Sequence, residues 1–250
     1  METNDLINRI NELAEKAYSE NRFLFTDFLD RSQLSSFYSI EKDLAYVGTA
    51  VSGGTEGCER CIVRFGSPDN LGYDESFPIA LLHICPIQKK FSDTLAHRDF
   101  LGSVIGLGIE RTKLGDIIVR DNEGYFFVAD SISEYIIDNL TKVKHTSVRV
   151  SRCEDIPETI APRFSEESII VSSNRLDAII ARVYKLSRDQ AVSQISEGKV
   201  FLSGRQMTEN AKSLKSGDVI SVRGKGKFIF DGEGGNTKKD KLYIKIKRYI

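Results

Sequence analysis

Arg175, Arg182, Lys185, Arg188, Lys199 and Arg205 all fall between positions 175 and 205 of the chain. Fixed ammonium and guanidinium groups at that density suit the binding of a polyanion. Guanidinium forks in particular can take a phosphate or a base edge bidentately. Ser187 stands three residues before Gln190, the spacing of a capping box, so a helix is predicted to start there. Its free N–H groups and positive dipole end give phosphate a second reason to settle beside Ser187.

Other residues with reactive side chains do not assemble into a recognisable catalyst. Cys58-x-x-Cys61 has metal-ligand spacing, but neither a second pair nor clustered histidines complete a zinc site, so no metal is expected. Four cysteines in all (Cys58, Cys61, Cys85, Cys153) fit free thiols in a reducing compartment. His97-Arg98-Asp99 would need an Asn five residues beyond the Asp to be a kinase loop, and Val104 stands there. Helical residues two apart do not face each other, which argues against a His-Asp dyad. His97 and Arg98, with Arg111 and Lys113 further on, form instead a second candidate basic contact. The glycine-rich stretch Ser52 to Gly57 lacks the lysine and the helix of a phosphate loop. No cofactor is expected.

The elements that must hold the cations follow from periodicity. Leu176, Ile179, Ile180 and Val183 recur at helical spacing, which predicts an amphipathic helix with Arg175 and Arg182 away from its buried stripe. A break at Lys185-Leu186 precedes the second helix, whose narrow apolar face is Ala191, Val192 and Ile195. Gly198 sits where a C′ glycine would end it, and a strand Lys199 to Leu202 follows. Asp177 is expected to be structural, within reach of the turn. In the last strand, Leu242 to Arg248, apolar residues alternate with cations, placing Lys245 and Lys247 on one exposed face.

This region resembles the S4 domain, a small RNA-binding module, through Arg175-Leu176-Asp177, Leu186-Ser187-Arg188, Ala191, Ile195, Gly198, Val200 and Gly204. The net charge of −1 hides a segregation of sign. From Ile169 onward there are 17 Lys and Arg against 8 Asp and Glu, a net of +9; the rest carries 18 against 28, a net of −10. Such asymmetry points to a polyanion-binding C-terminal part.

Upstream, Asp5 to Asn21 is predicted as a surface helix with Leu6, Ile10, Leu13 and Ala17 inward. A short second helix is expected around Phe23 to Leu29, capped by Thr26 or Asp27. Leu44 to Val51 and Cys61 to Phe65 read as a β-hairpin around the glycine-rich tip. From Phe77 the pattern becomes strand (Ile79 to Ile87), helix (Leu95 to Ile105, capped by Ser92, Asp93 or Thr94), strand (Gly115 to Arg120), strand (Tyr125 to Ala129), helix (Ile132 to Leu140), strand (Ser147 to Arg152). That βαββαβ order is ferredoxin-like and shared by RNA-recognition-motif domains. Gly124-Tyr125-x-Phe127-Val128 matches the middle of their base-stacking signature and departs at both ends, so Tyr125 and Phe127 are read as ordinary sheet residues. Glu154 to Glu167, with two prolines and little periodicity, reads as a linker, and Asp231 to Asp240 as a loose loop.

The fold class is therefore α+β: an N-terminal α/β region with a β-hairpin (1–75), a central ferredoxin-like domain (76–153), a linker (154–168) and a C-terminal S4 domain (169–250). No apolar run approaches the length of a membrane span, and METNDLINRI lacks the basic and apolar regions of a signal peptide.

With His97-Arg98-Asp99-Phe100-Leu101-Gly102, Gly106-Leu107-Gly108-Ile109 and Gly115-Asp116-Ile117, nearly the whole chain resembles the YlmH family of bacterial RNA-binding proteins. The resemblance implies a cytoplasmic, non-catalytic protein, encoded near division genes. It also implies binding to rRNA and tRNA on the large ribosomal subunit and a part in quality control of stalled nascent chains. Protein partners are not implied. The alternative is an RNA-modifying enzyme, of pseudouridine synthase or methyltransferase type, using the S4 domain for targeting. Those families carry the module first, and no Gly-Arg-Leu-Asp loop or methyl-donor glycine loop precedes it here. An adaptor recruiting other factors through the acidic N-terminal part is a third reading. An internal ion pair at Arg188, on a surface without positive potential, would remove the RNA-binding reading.

Overall fold

The computed structural model describes residues 3–236 and 241–250. The chain divides into two compact units, Met1–Ala161 and Pro162–Ile250.

The first unit opens with helix α1 (Thr3–Glu20). Leu6, Ile10, Ala14 and Ala17 are its buried stripe, with Ala14 taking the place expected of Leu13. The predicted helix around Phe23 to Leu29 is instead extended: β1 (Leu24–Phe25) pairs with a later strand, and Thr26 Oγ1 accepts a hydrogen bond from Val63 N. The helix start lies further on, at a capping box of Asp30 and Gln33 that opens α2 (Arg31–Ile40). Phe23 is buried and Leu24 and Phe25 are partly so; the aromatic run packs as strand, where such side chains fit well. Strands β2 (Thr49–Ser52) and β3 (Ile62–Phe65) form the expected hairpin, and β1 flanks β3 on its other side. The first of these is shorter than expected, because Glu41–Leu44 is a 3₁₀ turn. One helical turn, α3 (Pro68–Leu71), follows.

The central part contains β4 (Ile79–Pro86), α4 (His97–Ile105), β5 (Leu114–Arg120), β6 (Glu123–Ala129), α5 (Ser133–Asn139), the two-residue β7 (Lys142–Val143) and β8 (Thr146–Cys153). The antiparallel sheet has the order β5-β6-β4-β8-β7, so the βαββαβ chain adopts the ferredoxin-like arrangement with one short added edge strand. Alternation assigns the two faces. Leu82, Ile84, Phe126, Val128 and Val150 pack under the helices with Phe100, Val104 and Ile136. Helix α4 starts at Ala96, not at Ser92, Asp93 or Thr94: the Asp99 carboxylate reaches back to Ala96 N at 2.8 Å.

In the second unit, β9 (Phe164–Val171), α6 (Leu176–Val183), α7 (Arg188–Ser196), β10 (Val200–Leu202), β11 (Arg205–Gln206), β12 (Val219–Val222), β13 (Gly226–Asn236) and β14 (Leu242–Tyr249) build a six-stranded sheet of order β11-β10-β12-β13-β14-β9. Both helices bury their stripes on one sheet face, with Leu176, Ile179, Ile180, Ala191 and Ile195 against Phe228, Phe230, Ile244 and Ile246.

Two stretches differ from the sequence reading. Residues 164–168, read as linker, are the first part of β9, which pairs with β14 over its whole length. Glu166 lies opposite Lys247 there, and Glu167, opposite Ile246, takes the diagonal Arg248 side chain, so charges that look like linker composition are cross-strand neighbours. The expected loop from Asp231 is strand as far as Asn236, interrupted by two register shifts that Gly232 (φ 126°) and Gly235 (φ 102°) accommodate. The remainder of that expected loop, 237–240, lies outside the described residues.

Candidate RNA-binding site

The two helices of the second unit meet at a turn whose centre is Lys185. Tyr184 N donates to Ile180 O and Leu186 N to Ala181 O at 2.8 Å, closing the end of α6. Lys185 occupies the left-handed position of that turn, with φ 53°, where glycine is favoured. Ser187 Oγ then accepts from Gln190 N at 3.1 Å while Gln190 Oε1 accepts from Ser187 N at 2.9 Å, the predicted capping box.

Asp177 organises the cations. Its side chain is 3% exposed, and its Oδ1 accepts from Arg188 Nη2 at 3.0 Å and from Ala178 N at 2.7 Å. Oδ2 accepts from Arg175 Nη2 at 2.9 Å. Burial pushes the Asp177 carboxyl up, but the hydrogen bonds and charges of Arg175 and Arg188 outweigh it and hold the group below the usual carboxylate range. The same hydrogen bond raises Arg175. Asp177 thus joins the two arginines rather than the turn. The N-terminal donors of α6 are spent elsewhere, since Leu176 N and Asp177 N donate to the carbonyls of Lys212 and Asn210.

Arg188 is therefore in an ion pair, one half of the condition that would remove the RNA-binding reading. The other half is not met. Arg175 and Arg188 remain 43% and 45% exposed and share one carboxylate. Arg182 and Lys185 are exposed beside them, and even with Asp189 counted the turn carries four cations against two carboxylates.

Arg182, Lys185 and Arg188 line a recess of about 310 Å³ whose floor is apolar, with Ala178, Ala181 and Leu186 contributing to it. Lys199 and Arg205 do not join this group. Lys199 follows the far end of α7, about 13 Å from Arg188 at 1.5 Å per residue. It pairs with Glu197 at 2.5 Å, and Arg205 lies on the short β10–β11 hairpin.

Arg248, next along the last strand, turns inward by parity with Ile244 and Ile246. It donates bidentately to Glu167 at 2.8 and 3.1 Å and to Val183 O at 2.9 Å, tying β9 and β14 to the end of α6. The alternation with Ile244 and Ile246 carried that signal. Lys245 is exposed as expected, and Lys247 is half-buried against Asp231 at 3.0 Å.

The second candidate contact divides. His97 and Arg98 are exposed at the start of α4. Arg111 donates to the carbonyls of Leu114 and Gly115, and Lys113 pairs with Asp27 at 2.7 Å, so both serve the fold. Leu95, just before α4, is hydrogen-bonded to Asn122 at the β5–β6 turn, whereas Arg111 and Lys113 lie at the other end of β5. Seven residues of strand, roughly 20 Å, separate the two pairs.

The central sheet face that bears Tyr125 and Phe127 is covered within the first unit. Phe127 (2% exposed) and Tyr125 (8%) cluster with Leu81, Phe28, Ile62 and Ile160. A Cβ on Gly54 would lie 2.3 Å from the Phe127 ring, so the glycine-rich hairpin tip rests on that ring. Asp116 accepts from Glu59 N and Arg60 N at 2.7 and 3.0 Å, and Arg60 donates to the carbonyls of Leu114, Phe28 and Arg111. The tip is a clamp on the sheet, a role its composition did not suggest. Beyond it, the His83 ring stacks on Tyr125 at 4.6 Å and its Nε2 meets Glu123 at 2.6 Å. Cys58, Cys61, Cys85 and Cys153 are thiols rather than disulfides, and among the described residues no cluster of His, Cys, Asp and Glu gathers as a metal site.

Residues 73–156 match the family profile described as "Putative RNA-binding domain in YlmH". The chain is 29% identical over 232 residues to the Ribosome-associated protein quality control protein P2 of Bacillus subtilis, covering 91% of this chain and 88% of that one. It is 37% identical over 73 residues to the small ribosomal subunit protein uS4 of Kosmotoga olearia, covering 27% of this chain and 35% of that one. A solved structure titled "Cell division protein ylmH from Streptococcus pneumoniae" aligns with 61% of this chain and 92% of its own, at 22% identity and a TM-score of 0.49.

Proposed function

We propose that the chain is a member of the YlmH family, and on that premise a non-catalytic, cytoplasmic RNA-binding protein acting at the ribosome. Its target is structured RNA, rRNA and tRNA on the large subunit, and its role is in quality control of stalled nascent chains. The Bacillus relative's name supports the last point for that relative. Family membership extends the reading to a link with cell division.

One observation carries the proposal. Arg175 and Arg188 are tied to the buried carboxylate of Asp177, and Arg182 and Lys185 line one recess with Arg188 beside the capped start of α7. Side chains oriented in advance lose less freedom on meeting a phosphate backbone. Target choice follows RNA shape, because the deep major groove of A-form helices is closed to side chains. Residues 169–250 are the S4 RNA-binding domain in this reading, with Lys199 and Arg205 as outlying contacts, and 1–75 and 76–153 are the domains that precede the linker.

Fluorescence anisotropy with an rRNA hairpin tests it. Arg182→Glu combined with Lys185→Glu leaves the Asp177 pairs intact and should weaken binding at least tenfold at moderate salt. Binding equal to that of the parent would overturn the assignment.

A further inference from the structure

We propose that the recess between the Ile87–Phe91 segment and the β7–β8 turn holds an unpaired nucleotide of the bound RNA, its base stacked on Phe91. This rests on the reading that the chain binds RNA. It supplies the central domain with a contact that its closed sheet face cannot make. Base-stacking aromatics of RNA-recognition-motif domains stand on the sheet. Here Phe127 is covered by the chain's own hairpin, and Tyr125 is buried beneath His83.

Phe91 is 77% exposed, more than any other large hydrophobic side chain among the described residues, and neighbouring Ile87 is 58% exposed. Both border a recess of about 410 Å³, completed by Gln88, His145, Thr146 and Ser147. That volume is within the range of small-ligand sites. Two rings, Phe91 and His145, thus line one cavity with hydroxyl and amide groups beside them.

The recess is built from held backbone. Ile87 N donates to Ser147 O at 3.0 Å, Phe91 N to Gln88 O at 3.2 Å, and Asp93 N to Thr146 Oγ1 at 2.9 Å. The β7–β8 turn is the two residues Lys144 and His145, with Lys144 at φ 52°. A phenyl ring left 77% exposed on such a frame costs hydration, and an unstacked base would cover it.

Charge at the rim fits a nucleotide without dominating. The segments adjoining the recess carry Lys89, Lys90, Arg98, Lys142 and Lys144 against Asp93, Asp99, Asp121 and Glu123. Three of those carboxylates are turned into local bonds: Asp93 to His145 N, Asp99 to Ala96 N and Lys144, Glu123 to His83 and Lys89. Lys90 Nζ lies 5.7 Å from the Phe91 ring centre, positioned for a phosphate attached to a stacked base. The small excess of positive charge makes stacking the main source of recognition, so unpaired rather than duplex RNA is the class that fits.

The test uses the full chain and two RNAs, a blunt hairpin and the same hairpin with a single-stranded tail containing 2-aminopurine. Phe91→Ala should weaken the tailed RNA roughly tenfold, the loss expected for one aromatic–base stack. It should also abolish quenching of the 2-aminopurine and leave the blunt hairpin and the unfolding midpoint unchanged. Unaltered affinity and quenching for the tailed RNA would overturn the proposal. So would a Phe91→Ala defect confined to ribosomal particles, which would make the recess a protein-docking site. Arg182→Glu separates the two readings: it should weaken both RNAs, and its failure to do so would count against the C-terminal site, independently of Phe91.

Discussion

The carboxylate of Asp177 accepts a hydrogen bond from the guanidinium of Arg188, eleven residues later and on the next helix, at 3.0 Å. With Arg175 on the other oxygen, one buried group sets the direction of two cations. The ion pair that could have silenced Arg188 instead orients it, because one negative charge is shared between two positive ones.

Asp177→Ala should destabilise the C-terminal unit by about 1–3 kcal/mol, from hydrogen bonds to charged groups and the unsatisfied Ala178 N–H. The half-exposure of both arginines places the value toward the lower end. Urea denaturation of the full chain measures it. RNA affinity should fall as well, since both guanidiniums lose their fixed direction.

The same carboxylate predicts a pH dependence with a definite sign. Its folded pKa is lowered, so its stabilising contribution is complete above the ordinary aspartate value of about 3.9. It is lost as pH falls below that value and through the lower folded one. Between pH 5 and pH 7 Asp177 should therefore contribute no slope to stability, and Asp177→Asn should remove part of the acid-side decline. Thermal unfolding of parent and Asp177→Asn from pH 7 down to about pH 3 checks it.

Lys185→Gly should raise stability by up to about 1 kcal/mol, because φ 53° suits glycine better than lysine. The same change should weaken RNA binding severalfold by deleting a cation at the recess. Opposite signs in denaturation and in anisotropy would mark a residue retained for binding at a cost in stability. A loss in both would refute that.

The salt dependence of binding distinguishes surface cations from structural ones. Four phosphate contacts predict a slope of log K against log salt of about −2.8 to −3.6. Arg182→Glu should make the slope shallower by roughly one contact, about 0.7–0.9. Arg248→Ala should leave it unchanged while lowering stability, since Arg248 spends its donors on Glu167 and Val183 O.

Gly54→Ala tests the clamp on the central sheet. The added Cβ meets the Phe127 ring at 2.3 Å and Gly54 has φ 99°, so both packing and backbone oppose it. A destabilisation of about 2 kcal/mol or more is expected in thermal unfolding of the first unit. An unchanged midpoint would mean that the tip does not hold the sheet.

What the sequence determined by itself was everything carried by local period and local capping. The α6 stripe, the Ser187–Gln190 box, Gly198 as a helix stop and the βαββαβ order are written in spacings of three to four or of two, which depend only on the chain's own geometry. The exposed position of Arg182 follows from the same rule. Tertiary structure alone decided how each charge is used, because an ion pair depends on which residue the fold brings opposite. Glu166 and Glu167 became strand residues because β9 pairs with β14, which sets Glu166 opposite Lys247 and Glu167 diagonal to Arg248, and Arg111 and Lys113 left the candidate surface through bonds to the Leu114 carbonyl and Asp27. Tyr125 and Phe127 have strand spacing whichever face is covered; only the hairpin packed on them closed that sheet to a base.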